Sequence, residues 1–481
     1  TLGFMVLDSR RLETRLQPAR AGVVSACSAK VNWRFRIGGE MRLWRLFTCG
    51  VWILLIVGVL APEVLLGQTP SVRVNSRYTY DMLDPTTNIN RKLLVLLDAR
   101  RGGEVPNDSV TFGGAVTAIA DVHQSNAAGK FGYLMRHPTS NNQVGKSASE
   151  AVLHSAQLSV TGAAGSWVTA HMELLYDPEQ SFGQGTITAL ARNQIQLRRG
   201  YVLLGDLTKL PLYVSLGKMA TPFGLTDTVN PFTASTVWHA FGGLAYGVQA
   251  GYSKDGVTVS FNGVQGGPQF RGAHTPVNET AVPSRLNNYV VDANYTASLG
   301  KSSSRLLLGA SYEKGSAYCQ DYPVQHFQAC KKENPAYDVY TQLITGGLTV
   351  QAELARTTDV WPGTFNPEIP QFAAHEVSSF GIGAKYRVIV ASTPVDLSGE
   401  FSRFTAGPTG APWDNQDQLV VGVAAYVAPT AKLFAEYVRT EGYAPLNFIS
   451  GGGGPNVVPG TTHSDRDAHS NVAIFGVNVA F

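Results

Sequence analysis

Apolar and polar residues alternate with a period of two along most of this chain. The segment 288–296 is typical, because its odd-numbered positions are all apolar: Tyr289, Val291, Ala293 and Tyr295. The even-numbered positions between them are mostly polar, and the same pattern recurs in 305–313, 348–354 and 380–387. Successive side chains of a β-strand point to opposite faces, so this pattern predicts amphipathic strands rather than helices.

About sixteen such segments follow one another, beginning near residues 110, 152, 166, 194, 212, 245, 257, 286, 304, 336, 348, 377, 393, 417, 431 and 471. Short connections, such as KDG at 254–256 and GG at 346–347, alternate with long ones, such as 126–150 and 443–470. This order places all short turns on one rim and all long loops on the other. It predicts an antiparallel up-and-down β-barrel.

The chemistry of the two faces indicates where such a barrel resides. The apolar face is rich in Tyr, Val, Leu and Ala, as expected for a lipid-facing band, and the charged face would line a wet lumen. Closing the sheet satisfies every backbone N–H and C=O between strands, which β structure needs in order to exist in lipid. The predicted fold class is therefore all-β, a transmembrane barrel of about sixteen strands over residues 109–481.

Composition agrees with an average of two faces. The chain has 481 residues, 44% of them hydrophobic and only 15% charged, with a formal net charge of +3. Ordinary soluble domains carry roughly a quarter charged residues. The low charge disfavours a disordered chain, and the near-neutral balance predicts no nucleic-acid partner.

The N-terminal region carries processing signals. One long apolar run, from Leu46 to Ala61, follows Met41, Arg42 and Arg45, so residues 41–67 are expected to form a secretory signal peptide. A membrane anchor is the alternative, but the run is shorter than the ~20 apolar residues of a spanning helix. Residues 1–40 are Arg-rich and patternless and are expected to be an unstructured, over-long leader.

Residues 68–108 form a separate lead-in segment before the first predicted barrel strand. Its stretch NRKLLVLLDARR, at 90–101, predicts a short helix that ends at the glycines 102–103. A periplasmic helix, a small plug and an oligomerisation segment all fit this pattern.

Export would determine which cysteines remain in the mature chain and whether they are oxidised. Cys27 and Cys49 would leave with the leader, so an oxidising compartment favours a disulfide between Cys319 and Cys330. His326 lies between them, but two Cys and one His fall short of a closed zinc set. The segment HSDRDAH at 463–469 could carry metal ligands or be a hydrophilic loop. The prediction is no metal and no cofactor.

Charged residues on the polar faces of the strands are the candidate pore-lining groups. They carry both signs, so the wall alone predicts no strong ion selectivity. The candidates are Asp121, Glu173, Arg198, Asp292, Arg305, Glu313, Asp338, Glu353, Lys385, Arg387, Asp396, Glu400, Lys432 and Glu436.

Two segments resemble known families. The last strand, NVAIFGVNVAF, ends on Phe481 and resembles the C-terminal signature of bacterial outer-membrane barrels. The segment LGKMATPFGL at 216–225 resembles the Gly-Lys-then-Pro-Phe-Gly strand end of phosphate-selective and LbtU-type siderophore porins. The matching positions are Gly217, Lys218, Pro222, Phe223 and Gly224.

The resemblance implies a porin in the outer membrane of a Gram-negative bacterium. Small hydrophilic solutes would diffuse through its lumen, lipid would surround it, and a homotrimer is common among such barrels. A selective porin for phosphate-like anions or siderophores is the alternative within transport. An outer-membrane hydrolase or adhesin is the alternative of another class. The chain has no Gly-x-Ser-x-Gly motif and no stretch that fits a phosphate-binding Gly-Lys-Ser/Thr loop, and the prediction is that it is not an enzyme.

The long link after the fifth predicted strand is the candidate constriction loop. In general porins this loop folds into the barrel. Here the link is long and apolar, and an exposed loop of that composition would need something to pack against. Covering a neighbouring subunit or closing the outer rim are the alternatives. The candidate residues are Phe223, Asp227, Phe232, Trp238, His239 and Phe241.

Overall fold

A computed structural model describes residues 71–132, 145–176, 195–265, 286–300, 304–318, 333–361, 375–444 and 464–481. The expected leader at 1–40, the signal peptide at 41–67 and the Cys319–Cys330 disulfide lie outside the described residues.

Sixteen strands form one closed antiparallel barrel. A short strand, β1 (Ser71–Val74), precedes it and pairs in parallel with the first barrel strand, β2 (Ser109–Ser125). Each later strand pairs with the next, and the last pairs back with β2. These strands are β3 (Ser147–Ala164), β4 (Val168–Tyr176), β5 (Ile195–Gly205), β6 (Leu212–Ala220), β7 (Leu244–Lys254), β8 (Val257–Gln265), β9 (Leu286–Ser298), β10 (Arg305–Glu313), β11 (Ala336–Thr345), β12 (Leu348–Thr357), β13 (Ser378–Val390), β14 (Thr393–Thr405), β15 (Asn415–Ala428), β16 (Ala431–Tyr443) and β17 (Asp465–Ala480).

The predicted barrel is confirmed. Most strands begin within two residues of the predicted position; the largest differences are at β3 and β17, which begin at Ser147 and Asp465 instead of near 152 and 471. Both extra stretches lie at the long-loop end and are mostly polar. They show little apolar alternation, although their backbones continue to pair.

The short turns are built for tight reversal. Between β7 and β8, Asp255 and Gly256 both have positive φ values, 52° and 81°. Two consecutive positive φ angles are typical of the type I′ turn, whose twist matches that of the flanking strands. The rim that carries the short turns is the periplasmic rim in barrels of this kind.

The outer surface is apolar and exposed. At mid-height it carries side chains such as Leu397 and Val421, which are 50% and 53% exposed. Aromatic side chains lie toward both ends of the strands and form two girdles, as expected where lipid meets water. The short-turn girdle contains Phe112, Tyr252, Tyr295, Tyr386 and Phe481, and the long-loop girdle contains Phe261, Tyr289, Tyr312, Phe380, Phe401 and Tyr437.

Two helices form in the lead-in segment. Helix α1 (Ser76–Leu83) is capped by Asn75, whose side chain accepts a hydrogen bond from the backbone N–H of Tyr78 at 3.1 Å. Helix α2 (Lys92–Arg101) follows a single 3₁₀ turn and ends at Gly102. A third helix, α3 (Thr236–Phe241), lies in the candidate constriction loop.

The lead-in helices pack against the inner wall of the barrel. Their fully buried side chains, among them Met82, Leu96 and Leu97, meet an apolar patch of wall that includes Leu203 and Tyr213. The hydroxyl groups of Tyr78 and the wall residue Thr161 are hydrogen bonded at 2.8 Å. Within the described residues, no helix is both long and apolar enough to span a membrane.

Candidate functional site

The interior of the barrel contains most of the charges predicted to face it. Ten of the fourteen candidates are buried: Asp121, Glu173, Arg198, Asp292, Asp338, Glu353, Asp396, Glu400, Lys432 and Glu436. Glu313 and Lys385 are half-buried, and Arg305 and Arg387 are exposed. Side chains that line a wide, water-filled lumen would be more accessible. The described interior is therefore largely filled by protein.

The segment 221–243, which follows β6, is one of the elements that fills it. This segment, called the inward loop below, lies against the inner faces of β10 to β16. Three wall glutamates on alternate strands hold its backbone: Glu353 on β12, Glu400 on β14 and Glu436 on β16. They accept hydrogen bonds from loop N–H groups at 2.7 to 3.2 Å, respectively from Thr226, from Val229, and from Phe232 with Thr233.

Glycines on the intervening strands make room for the loop. A Cβ atom at Gly383 on β13 would lie 2.6 Å from Cγ2 of Val229, and one at Gly422 on β15 would lie 2.8 Å from Cδ of Pro231. Real Cβ contacts are never this short. The wall therefore has two recesses into which loop side chains fit.

Aromatic packing accounts for the apolar composition of the loop. Phe232 stacks on the wall residue Phe434 with ring centroids 5.4 Å apart, and it meets His154 edge-on at 4.8 Å. Phe241 contacts Tyr318 at 5.4 Å. Among the named loop residues, Phe223, Asp227, Phe232, His239 and Phe241 are buried and Trp238 is half-buried.

The Pro-Phe-Gly stretch at the start of the loop has a steric explanation. Gly224 has a φ of +70°, and a Cβ there would lie 2.3 Å from Oε1 of Glu353 and 3.0 Å from Oδ2 of Asp338. Only glycine fits both the backbone conformation and the space. Packing thus explains the last glycine of the motif that carried the family resemblance.

The lead-in segment and the inward loop meet at Asp227. One carboxylate oxygen accepts the backbone N–H of Ile89 at 3.0 Å, and the other pairs with the guanidinium of Arg91 at 3.0 Å. The backbone N–H of Thr228 donates to the carbonyl of Thr86, also at 3.0 Å. These contacts join the two inserted segments inside the barrel.

Lys92 anchors the lead-in itself. Its Nζ donates to three backbone carbonyls at the end of α1 and just beyond, those of Asp81, Asp84 and Thr87, at 2.7 to 2.9 Å. A cation suits the carbonyl end of a helix. Burial lowers the pKa of Lys92 to about 8, and the nearby Asp84 carboxylate opposes that shift.

A basic pair lies on the opposite side of the interior. Arg198 and Arg199 both contact Glu173 on β4, at 3.2 and 2.6 Å. The alternation rule assigns only one of two adjacent residues to the lumen, so the sequence pattern missed Arg199. A bulge between Glu173 and Leu174 in the β4–β5 pairing lets both arginines reach the same carboxylate.

A cavity of about 730 Å³ remains between the lead-in and the wall of β10 to β15. We call it the vestibule. Asp227 lies among its lining residues, and so do Ser392, Pro394 and Pro429 at the short turns. The vestibule therefore extends from the short-turn rim toward the contact between lead-in and loop.

No cluster of three or more His, Cys, Asp or Glu side chains suited to a metal is found in the part of the chain that the structure describes. Of the HSDRDAH segment, His463 lies outside that part, and Asp465, Asp467 and His469 form no such cluster.

Comparison with solved structures finds barrels. The chain is similar to an anion-selective porin from Comamonas acidovorans, with 14% identity, 78% of this chain and 99% of that chain covered, and a TM-score of 0.45. It is also similar to OprB of Pseudomonas putida, at 11% identity, 77% and 94% coverage and a TM-score of 0.45. The outer-membrane channel DcaP of Acinetobacter baumannii is similar at 11% identity, with 78% of this chain and 97% of that chain covered and a TM-score of 0.44. No protein-family model and no curated protein sequence matches the chain.

The architecture defines the class of protein. A closed sixteen-stranded antiparallel barrel with an apolar outer band, two aromatic girdles and a polar interior is an outer-membrane β-barrel with the fold of a porin-like channel. Its location is the outer membrane of a Gram-negative bacterium.

Proposed function

We propose that this protein is a narrow diffusion porin for small hydrophilic solutes. The observation that carries the proposal is the meeting of the inward loop and the lead-in at Asp227, beside a polar vestibule of about 730 Å³. Solutes would move along the β10 to β15 side of the barrel, since α2 fills the opposite side. The inward loop would set the size limit.

The lead-in would act as a permanent lining of this pore. Of the three roles open to residues 68–108, packing inside the barrel supports the small plug, in a form that stays in place. Met82, Leu96 and Leu97 are each at most 2% exposed. Returning one such side chain to water costs about 1.5–3 kcal/mol. Expelling the segment would also expose the apolar wall patch behind it.

Planar-bilayer conductance and liposome swelling test the proposal. The purified barrel should form channels and admit small sugars faster than large ones. Deleting residues 226–240 should raise single-channel conductance, because the loop that narrows the lumen is gone. Deleting 447–461, an equal length of another long link, is the control and should change conductance less.

Unchanged conductance after the 226–240 deletion would contradict the constriction role of the inward loop. The deletion removes four of its candidate residues, Asp227, Phe232, Trp238 and His239. Absence of both channels and swelling in the intact protein would contradict the porin itself. The expected homotrimer stays a prediction.

A further inference from the structure

The vestibule wall carries a row of four inward-facing residues that pair directly across neighbouring strands. Arg305 on β10 pairs with Ile344 on β11, Ile344 with Thr349 on β12, and Thr349 with Lys385 on β13. All four line the vestibule. Strands lie about 4.8 Å apart, so the two cationic residues at the ends of the row are separated by roughly 14 Å at their Cα atoms.

The acids of the vestibule are already engaged. Asp81 pairs with Arg77 at 3.1 Å, and Asp227 pairs with Arg91 at 3.0 Å. Asp84 accepts hydrogen bonds from the backbone and hydroxyl of Thr86, at 3.0 and 2.7 Å, and from the hydroxyl of Thr87 at 2.8 Å.

One of the basic groups is engaged as well. Arg387 forms a bidentate pair with Asp396, at 2.6 and 2.8 Å, and lies over the ring of Tyr426. Arg305 and Lys385 differ from Arg387, because among the described residues neither of them makes a hydrogen bond or an ion pair. Among the described residues the vestibule thus presents two positive groups without a hydrogen bond or ion pair, whereas each of its carboxylates has at least one such partner. The charges of Asp396 and Asp84 also act on Lys385.

We propose that the vestibule is a binding site for small solutes that carry carboxylate or phosphate groups, held by Arg305 and Lys385. A guanidinium matches both groups with two parallel hydrogen bonds, and an ammonium attracts them as a point charge. Gln342, Thr349 and Asn88 supply neutral polar partners along the lining. The volume is within the range of about 300–1,000 Å³ that is usual for small-molecule sites.

The site rests on the proposed function, because it would concentrate anionic solutes at the periplasmic mouth of the pore. Both cations lie on the path that solutes would take, so the site would make anionic solutes the preferred substrate class. The row has its two charges at its ends, so a solute with two anionic groups would be held better than one with a single group.

The test begins with binding, which does not depend on conduction. Inorganic phosphate and glutarate are titrated calorimetrically into the detergent-solubilised barrel, with glucose as the neutral probe. The intact protein should bind at least one of the two anions. The double variant Arg305→Gln/Lys385→Gln should bind it roughly fivefold more weakly or not at all, as expected for loss of charge-assisted hydrogen bonds. Phosphate and glutarate are titrated separately, so the result also shows whether the site prefers phosphate or carboxylate groups.

The control is Lys254→Gln, which removes an exposed lysine at the end of β7, away from the vestibule. It should bind like the intact protein. Heat-modifiable migration on a denaturing gel verifies that each variant is a folded barrel. Failure of both anions to bind, or equal binding by the double variant, would overturn the site.

Bilayer recordings separate this inference from the porin proposal. Under a salt gradient, the double variant should shift the reversal potential toward cation preference and lose block by the bound anion. A conducting double variant with unchanged potential and unchanged block would overturn the site and leave the porin standing. A protein that binds the anion but never conducts would overturn the porin and leave the site.

Discussion

At the scale of single residues, the inward loop depends on wall glutamates that bind its backbone rather than cations. Glu436 illustrates this, because its two oxygens accept the N–H groups of Phe232 and Thr233 together with the Thr233 hydroxyl. The alternation pattern predicted that such glutamates face inward. It could not identify their partners, which are about two hundred residues away in sequence and belong to a loop.

Glu436→Gln should loosen the inward loop. The amide keeps one oxygen but turns an NH₂ group toward N–H donors, and each buried donor left without an acceptor costs about 1–3 kcal/mol. We expect noisier and larger single-channel currents and a lower unfolding midpoint. Glu441→Gln on the same strand is the control, since that side chain is 64% exposed. Currents indistinguishable between the two variants would contradict this role for Glu436.

At the scale of elements, local pattern and fold agree for the strands and for one inserted helix, but the pattern does not report where the inserted segments lie. The stretch 90–101 predicted a short helix, and α2 is found over Lys92–Arg101. The helix lies inside the barrel because it contacts β5 and β6. Such contacts between distant segments leave no local sequence pattern. Arg199 is a similar case, because a one-residue bulge reversed the direction that alternation assigned.

A reversible cross-link distinguishes a permanent lining from a mobile plug. A Cβ at Gly113 on β2 would lie 2.8 Å from Cβ of Thr79 on α1, so a Thr79→Cys/Gly113→Cys pair can form a disulfide after a small shift. If the lead-in is a lining, conductance should be the same in the oxidised and reduced states. The parent chain treated with the same reductant controls for its own cysteines. Current that appears only after reduction would show that the lead-in has to move.

At the scale of the whole molecule, the alternation of apolar and polar residues suits the barrel to lipid outside and to a polar interior. Odd and even positions of each strand separate lipid from the protein-filled interior, which explains how a chain with 44% hydrophobic residues needs no long apolar run in its barrel. The outer band also predicts where charge is tolerated, because a charge at mid-bilayer loses its hydration and one near the rim does not.

Val421→Arg, at mid-height on the outer face, should destabilise the barrel in lipid vesicles by about 2–4 kcal/mol. Val479→Arg, also outward-facing but close to the short-turn rim, should cost only about 0–1 kcal/mol. Denaturant unfolding of both variants in vesicles measures the difference. Equal costs at the two depths would contradict the placement of the lipid band.

The sequence by itself determined the barrel, its approximate number of strands, the order of short turns and long loops, and the two faces of regular strands. It could do so because side-chain direction in a strand is a local property with a period of two. Only the tertiary structure decided what fills the lumen. Three features arise only where distant segments meet: the recesses for the inward loop, the contact at Asp227 and the vestibule with its two cations. Such contacts depend on the closed shape of the barrel.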